Sequence, residues 1–177
     1  LGLLGAVRTC SSLLQRQDRY SHPCAAIQQD HEYVNISENG IALIKEHEGC
    51  RLVAYLDARS PPVWTIGYGS TVDVAPGMHI SQTQADDRLR RDAQDAEKCV
   101  NGCVTVDLTQ NEFDALCSFV FNVGCGNFRK SSMLKYLNAG DFEATAYEFR
   151  RWTRAGDAHP AGLVARRAAE MRLFESA

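Results

Sequence analysis

No stretch of this sequence approaches the roughly 18 consecutive apolar residues that a membrane-spanning helix needs. No second histidine follows His47-Glu48 at helical spacing, which excludes the zinc-metalloprotease helix motif. Cys99 and Cys103 have neither a histidine nor a further close cysteine pair beside them, which argues against a tetrahedral zinc site. There is no recognised nucleic-acid-binding motif, no internal repeat and no nucleotide signature, so neither a cofactor, a metal nor nucleic acid is expected. Net charge is small as well, a formal −3 over 177 residues.

What is present is enough for a proper core. With 45% hydrophobic residues, the chain suits one domain or two small lobes. Its charge is unevenly placed: residues 1–125 carry 10 basic and 16 acidic side chains, residues 126–177 carry 9 and 6. The basic C-terminal part suits an anionic polymer, although a solvated helical face has the same composition. Seven cysteines are many for a cytosolic chain of this size and point to an extracytoplasmic protein with disulfides. The odd count leaves at least one thiol free or paired between chains.

The stretch from Glu48 to Gly69, EGCRLVAYLDARSPPVWTIGYG, organises the rest. Ile41, Leu43 and Ile44 give helical spacing and Gly49 reads as the stop, which puts Glu48 on the last turn. The negative end of the helix should push the pKa of a carboxylate upward, as a general acid requires. Asp57 closes the run RLVAY and opens a turn holding Pro61 and Pro62, so it belongs on a rim. In the returning strand Trp64, Ile66 and Tyr68 alternate with Thr65 and Gly67, so Thr65 faces away from the aromatic side. Two carboxylates and a hydroxyl so arranged suit hydrolysis of a glycosidic bond. Each alone has a duller reading: surface acid, turn former, strand former.

Around this stretch the spacing predicts helices. Ser37 is an N-cap with Ile36 and Ile41 as a hydrophobic staple, and Ser81 with Gln84 is a capping box opening a helix to about Val100. That second helix has a thin apolar stripe of Ala85, Leu89, Ala93, Ala96 and Val100, and Asp86–Arg90 and Asp87–Arg91 are spaced to pair along it. So polar a helix should link two lobes. Thr109 with Glu112 opens a buried helix carrying Phe113, Leu116, Cys117, Val120 and Phe121. Ser131 and Asp141 are caps of two more helices, Gly140 ends the first of these, residues 153–162 read as a loop, and an amphipathic helix runs from Leu163 through Met171 and Phe174.

Glu48-Gly49-x-Arg51-Leu52, Tyr55-x-Asp57 and Trp64-Thr65-Ile66-Gly67-Tyr68-Gly69 resemble the active-site segment of phage-type lysozymes, the glycoside hydrolase family 24 endolysins. The runs from Ser118 to Gly124 and Gly126 to Arg129, with Arg150-Arg151-Trp152 and Gly162-Leu163-x-x-Arg166-Arg167, are similar to the endolysins of lambdoid phages. The resemblance covers residue 37 to the end; seven residues separate Asp57 from Thr65, two more than is usual. It implies an α+β, mostly helical, two-lobe lysozyme fold: a small hairpin lobe over 37–80, a linking helix over 81–101 and a helical lobe over 102–177. It further implies a muramidase that cleaves the β-1,4 bond between N-acetylmuramic acid and N-acetylglucosamine in peptidoglycan, as a monomer and with inversion. Glu48 would protonate the leaving oxygen while Asp57 and Thr65 position and activate water. Phe121, Asn122 and Ser131 align with substrate-contacting positions, and Arg166 or Arg167 would hold Glu48 or sugar carboxylates.

Residues 1–36 resemble nothing in the family's catalytic core and read as a loop-rich extension. Its opening LGLLGAV is either the remnant of a signal or signal-anchor segment, giving transient membrane association, or an ordinary extension. Cys10 lies in this apolar stretch, and a disulfide involving Cys50 would tether the extension near the active site and regulate access to it; otherwise Cys50 is a thiol packed as a small hydrophobe. A non-catalytic wall-binding module and a membrane-disrupting protein are the competing classes.

Overall fold

The computed structural model describes residues 33–57, 61–154, 156 and 158–176, which belong to one compact unit. The expected extension and its Cys10 lie outside them, except for its last few residues. Among the described residues are seven α-helices, a 3-10 turn at Phe149–Arg151 and a two-stranded antiparallel hairpin. None of these helices is long and apolar enough to cross a membrane. The mostly helical architecture with one hairpin is the α+β fold the sequence implies.

Helix α1, Glu38–Glu48, starts at Ser37, whose hydroxyl accepts from the Asn39 amide at 3.1 Å. Its start is anchored from outside as well. The fully buried carboxylate of Asp114 accepts from the Ser37 amide at 2.9 Å and from the Ser37 hydroxyl, while Glu97 accepts from the Ile36 amide at 3.0 Å. Gly40 lets α1 approach closely, because a Cβ there would lie 2.5 Å from Ile36 and 2.9 Å from Asp114.

Strands β1, Arg51–Asp57, and β2, Val63–Gly67, pair Tyr55 with Thr65, Leu56 with Trp64 and Asp57 with Val63, with an irregularity between Arg51 and Tyr55. Ile66 and Thr65 are both fully buried, so the inner end of β2 is covered on both faces.

Helix α2, Gln82–Cys103, has the expected capping box and buries the expected stripe. Ala85, Leu89 and Ala93 complete a small core with Ile41, Ile44, Ile66, Tyr68 and Ile80. Ala96, Cys99 and Val100 belong to a larger core with Phe113, Leu116, Phe119, Phe128, Phe149 and Phe174. One helix thus serves both cores. Its charges do not pair only along its own surface as the spacing suggests: Asp86 meets Lys45 at 2.9 Å and Arg90 meets Glu38 at 2.7 Å, because α1 lies alongside and offers both partners.

The larger core is built from α3, Gln110–Val123, opened by the Thr109–Glu112 capping box; α4, Cys125–Arg129; α5, Ser132–Asn138; α6, Phe142–Glu148; and α7, Ala161–Glu175. Helix α4 is too short for periodicity to reveal, and α7 begins two residues before Leu163. A disulfide joins Cys99 on α2 to Cys125 on α4, and Cys103 stands close to both, its sulfur accepting from Arg129 Nε at 3.2 Å. Cys117 is buried in the core, where desolvation pushes its thiol pKa up.

Gly40→Ala should destabilise the protein by about 1–3 kcal/mol through the forced separation of α1 from α3, read as a fall in Tm. Cys99 and Cys125 close a loop across a separation of 26 residues, so the double serine variant should lose about 3 kcal/mol in denaturant unfolding.

Candidate active site

Ile41, Ile44 and Glu48 share one helical face of α1, so the face that fills the small core also carries Glu48 inward. Gly49, at φ +66°, turns the chain immediately after it. The carboxylate is met by Arg166 of α7, whose Nη1 donates to Glu48 Oε1 at 2.5 Å; the two side chains are 4% and 23% exposed. This ion pair acts in the opposite electrostatic sense to the helix end.

Arg166 belongs to a buried network. Its Nε donates to Glu170 Oε1 at 3.0 Å, its Nη2 to the Ser118 carbonyl at 3.0 Å, and the Ser118 hydroxyl donates to Glu170 Oε1 at 2.8 Å. Arg167 binds the other Glu170 oxygen and the Asn122 side-chain oxygen, donates to the Trp152 carbonyl at 3.1 Å and lies over the Phe119 ring at 4.8 Å. Burial lowers the pKa of the Arg167 guanidinium, and Glu170 works against that. Two guanidinium and two carboxylate charges therefore compensate one another. Both arginines lie beneath the cleft, Arg167 at 1% exposure, and bind Glu48 and Asn122 rather than presenting an open surface to sugar.

Above this network is a cleft of about 400 Å³ lined by Glu48, Tyr68–Val72, Asp92, Phe121 and Asn122. The structure thus brings together Glu48, Phe121 and Asn122 of the expected site residues. Phe121 packs against both cores as well as lining the cleft. Although the C-terminal part of the chain is basic, no basic side chain lines this surface.

Asp57 and Thr65 come together on the hairpin. The register puts Asp57, Val63, Tyr55 and Thr65 on one face, with Asp57 and Thr65 diagonal neighbours at about 7–8 Å. Neither is among the residues lining the cleft. Thr65 is fully buried and its hydroxyl donates to the Val63 carbonyl at 3.2 Å. Ser131 caps α5: its hydroxyl accepts from the Leu134 amide at 3.2 Å and donates to the Phe128 carbonyl at 2.7 Å, and it does not line the cleft either. Cys50, two residues beyond Glu48, is an exposed free thiol, not a packed one.

The phage lysozyme family model matches residues 45–170. The chain belongs to the phage lysozyme family. It is 48% identical over 144 residues to the endolysin of Bacillus phage PZA, covering 81% of this chain and 56% of that protein, so it spans little more than half of that relative. It is 40% identical over 146 residues to the endolysin of Salmonella phage P22, covering 81% of this chain and 99% of that one. Among solved structures, the muramidase domain of SpmX from Asticaccaulis excentricus aligns with a TM-score of 0.74 at 38% identity, covering 79% of this chain and 97% of that one. The mostly helical fold with one hairpin is thus that of the lysozyme structures it resembles.

Two site residues escape the sequence reading. Glu170 stands four and three residues after Arg166 and Arg167, a helical ion-pair spacing that is legible in principle. Asp92 borders the apolar stripe of α2 beside Ala93; desolvation raises its pKa, while a hydrogen bond with Ser70 and the charges of Arg88 and Arg91 act the other way. Glu170→Gln should cost about 3–5 kcal/mol, because it leaves buried guanidinium charge uncompensated, and denaturant unfolding checks it.

Proposed function

We propose that the protein is a muramidase that hydrolyses the β-1,4 bond between N-acetylmuramic acid and N-acetylglucosamine in peptidoglycan, acting outside the cytoplasm on the bacterial wall. The observation that carries this reading is the position of Glu48: a carboxylate on a cleft surface, fixed from below by Arg166, in a chain of the phage lysozyme family. Glu48 donates the proton to the leaving oxygen. Asp57 and Thr65, adjacent on the hairpin face, hold the attacking water, for which the Thr65 hydroxyl turns away from the Val63 carbonyl. Asn122 contributes its amide nitrogen to the sugar, since Arg167 occupies its oxygen. Phe121 supplies an apolar wall. Ser131 serves the same substrate indirectly, by fixing the start of α5.

Opposed carboxyl groups roughly 6.5–9.5 Å apart in the substrate complex give inversion, and about 5–5.5 Å would give retention. The Cys99–Cys125 disulfide supports an extracytoplasmic setting. We read the protein as a monomer, with the N-terminal segment as a transient membrane contact.

Glu48→Gln should abolish clearing of purified peptidoglycan in a protein that still folds, with a lowered Tm because Arg166 loses one of its two anions. Reducing-end analysis of the products should show muramic acid termini. Undiminished clearing by this variant would remove Glu48 from the acid's role, and a wild type that binds the wall or leaks wall-free liposomes without releasing reducing ends would be a binding or membrane-disrupting protein instead.

A further inference from the structure

Among the described residues, one of the two carboxylates lining the cleft has no direct ion-pair contact. Glu48 is ion-paired to Arg166. Asp92 is half-buried and has the Ser70 hydroxyl as its hydrogen-bond partner. The charges of Arg88 and Arg91 on its own helix act on it without direct contact, their N–H groups donating instead to the Val72 carbonyl at 2.8 Å and the Asp87 carbonyl at 3.3 Å. Asp95 on the same helix adds further negative charge. From α1 the residue lining the cleft is Glu48, and from the segment after β2 the lining includes Ser70 and Thr71, while the Tyr68 hydroxyl is engaged with Asp86 and Gln82.

We propose that Asp92 is a specificity-determining residue that seats a primary ammonium group of the substrate in this cleft. The inference rests on the peptidoglycan reading above and goes beyond it. A partly desolvated carboxylate without an ion-pair partner gains most from a cation with several N–H donors, and a primary ammonium brings three. Such groups occur in a bacterial wall as the free amine of an uncross-linked stem peptide or as a glucosamine lacking its acetyl group. Ser70 and Thr71, beside Asp92 in the lining, offer hydroxyl oxygens for the remaining donors. Acetylating the amine removes the charge and adds bulk, so the acetylated wall is the poorer substrate.

The test compares release of reducing ends from purified peptidoglycan before and after amine acetylation, for wild type, Asp92→Asn and Asp92→Glu. Acetylation should slow the wild type about tenfold, equivalent to about 1.4 kcal/mol, and chiefly through KM. The native-to-acetylated rate ratio should fall towards one in Asp92→Asn and recover in Asp92→Glu; a general loosening of the fold would lower both rates and leave the ratio alone. Glycan strands stripped of stem peptides identify the amine: the ratio persists if it belongs to glucosamine and vanishes if it belongs to the peptide. A wild type indifferent to acetylation, or an Asp92→Asn that keeps the wild-type ratio, overturns the proposal. Failure of the wild type to cleave either wall overturns the muramidase reading, and this inference falls with it.

Discussion

The ion pair between Glu48 and Arg166 ties the two cores of the described structure together at the cleft. Glu48 comes from α1, which fills the small core; Arg166 comes from α7, which closes the larger one. Each partner is held by its own surroundings, Glu48 by the packing of Ile41 and Ile44 and Arg166 by Glu170 and Ser118. A buried guanidinium cannot be left without anions, so the network beneath the cleft constrains where the carboxylate above it can sit. The cleft inherits its floor from that electrostatic requirement.

Helix α2 supplies the complementary constraint. Its apolar stripe changes cores part-way along, from Ala85, Leu89 and Ala93 to Ala96, Cys99 and Val100, so packing energy on both sides depends on one rigid element. The start of α1 is fastened to that element through Glu97 and to α3 through Asp114. A helix as polar as α2 would be marginal alone in water. Burial against both cores, and ion pairs that reach across to α1, stabilise it.

Much of this was legible in the residues. Capping boxes at Ser81 and Thr109 are read directly, because the chemistry that satisfies a helix start involves residues three apart. The stripe on α2 is equally local, and so is the position of Glu48 before Gly49. What was not legible is whatever depends on a second element. Asp86 and Arg90 looked like partners for each other until α1 was beside them. Arg166 or Arg167 was expected to reach Glu48 or the sugar, but not to be buried: α7 turns its charged face inward, with Arg166, Arg167, Glu170 and Phe174. Hydrophobic patterning treats such a face as solvent-exposed, and only the mutual compensation of its charges permits the reverse. Asp92 escaped because a carboxylate at the border of a stripe is common and the cleft above it is a tertiary object. Short α4 carries too few residues to have a period at all.

The arrangement of Glu48 and Arg166 has a mechanical side. Since one partner is rooted in each core, the length of their contact is a gauge of the spacing between α1 and α7, and any shift that separates these two helices has to lengthen it.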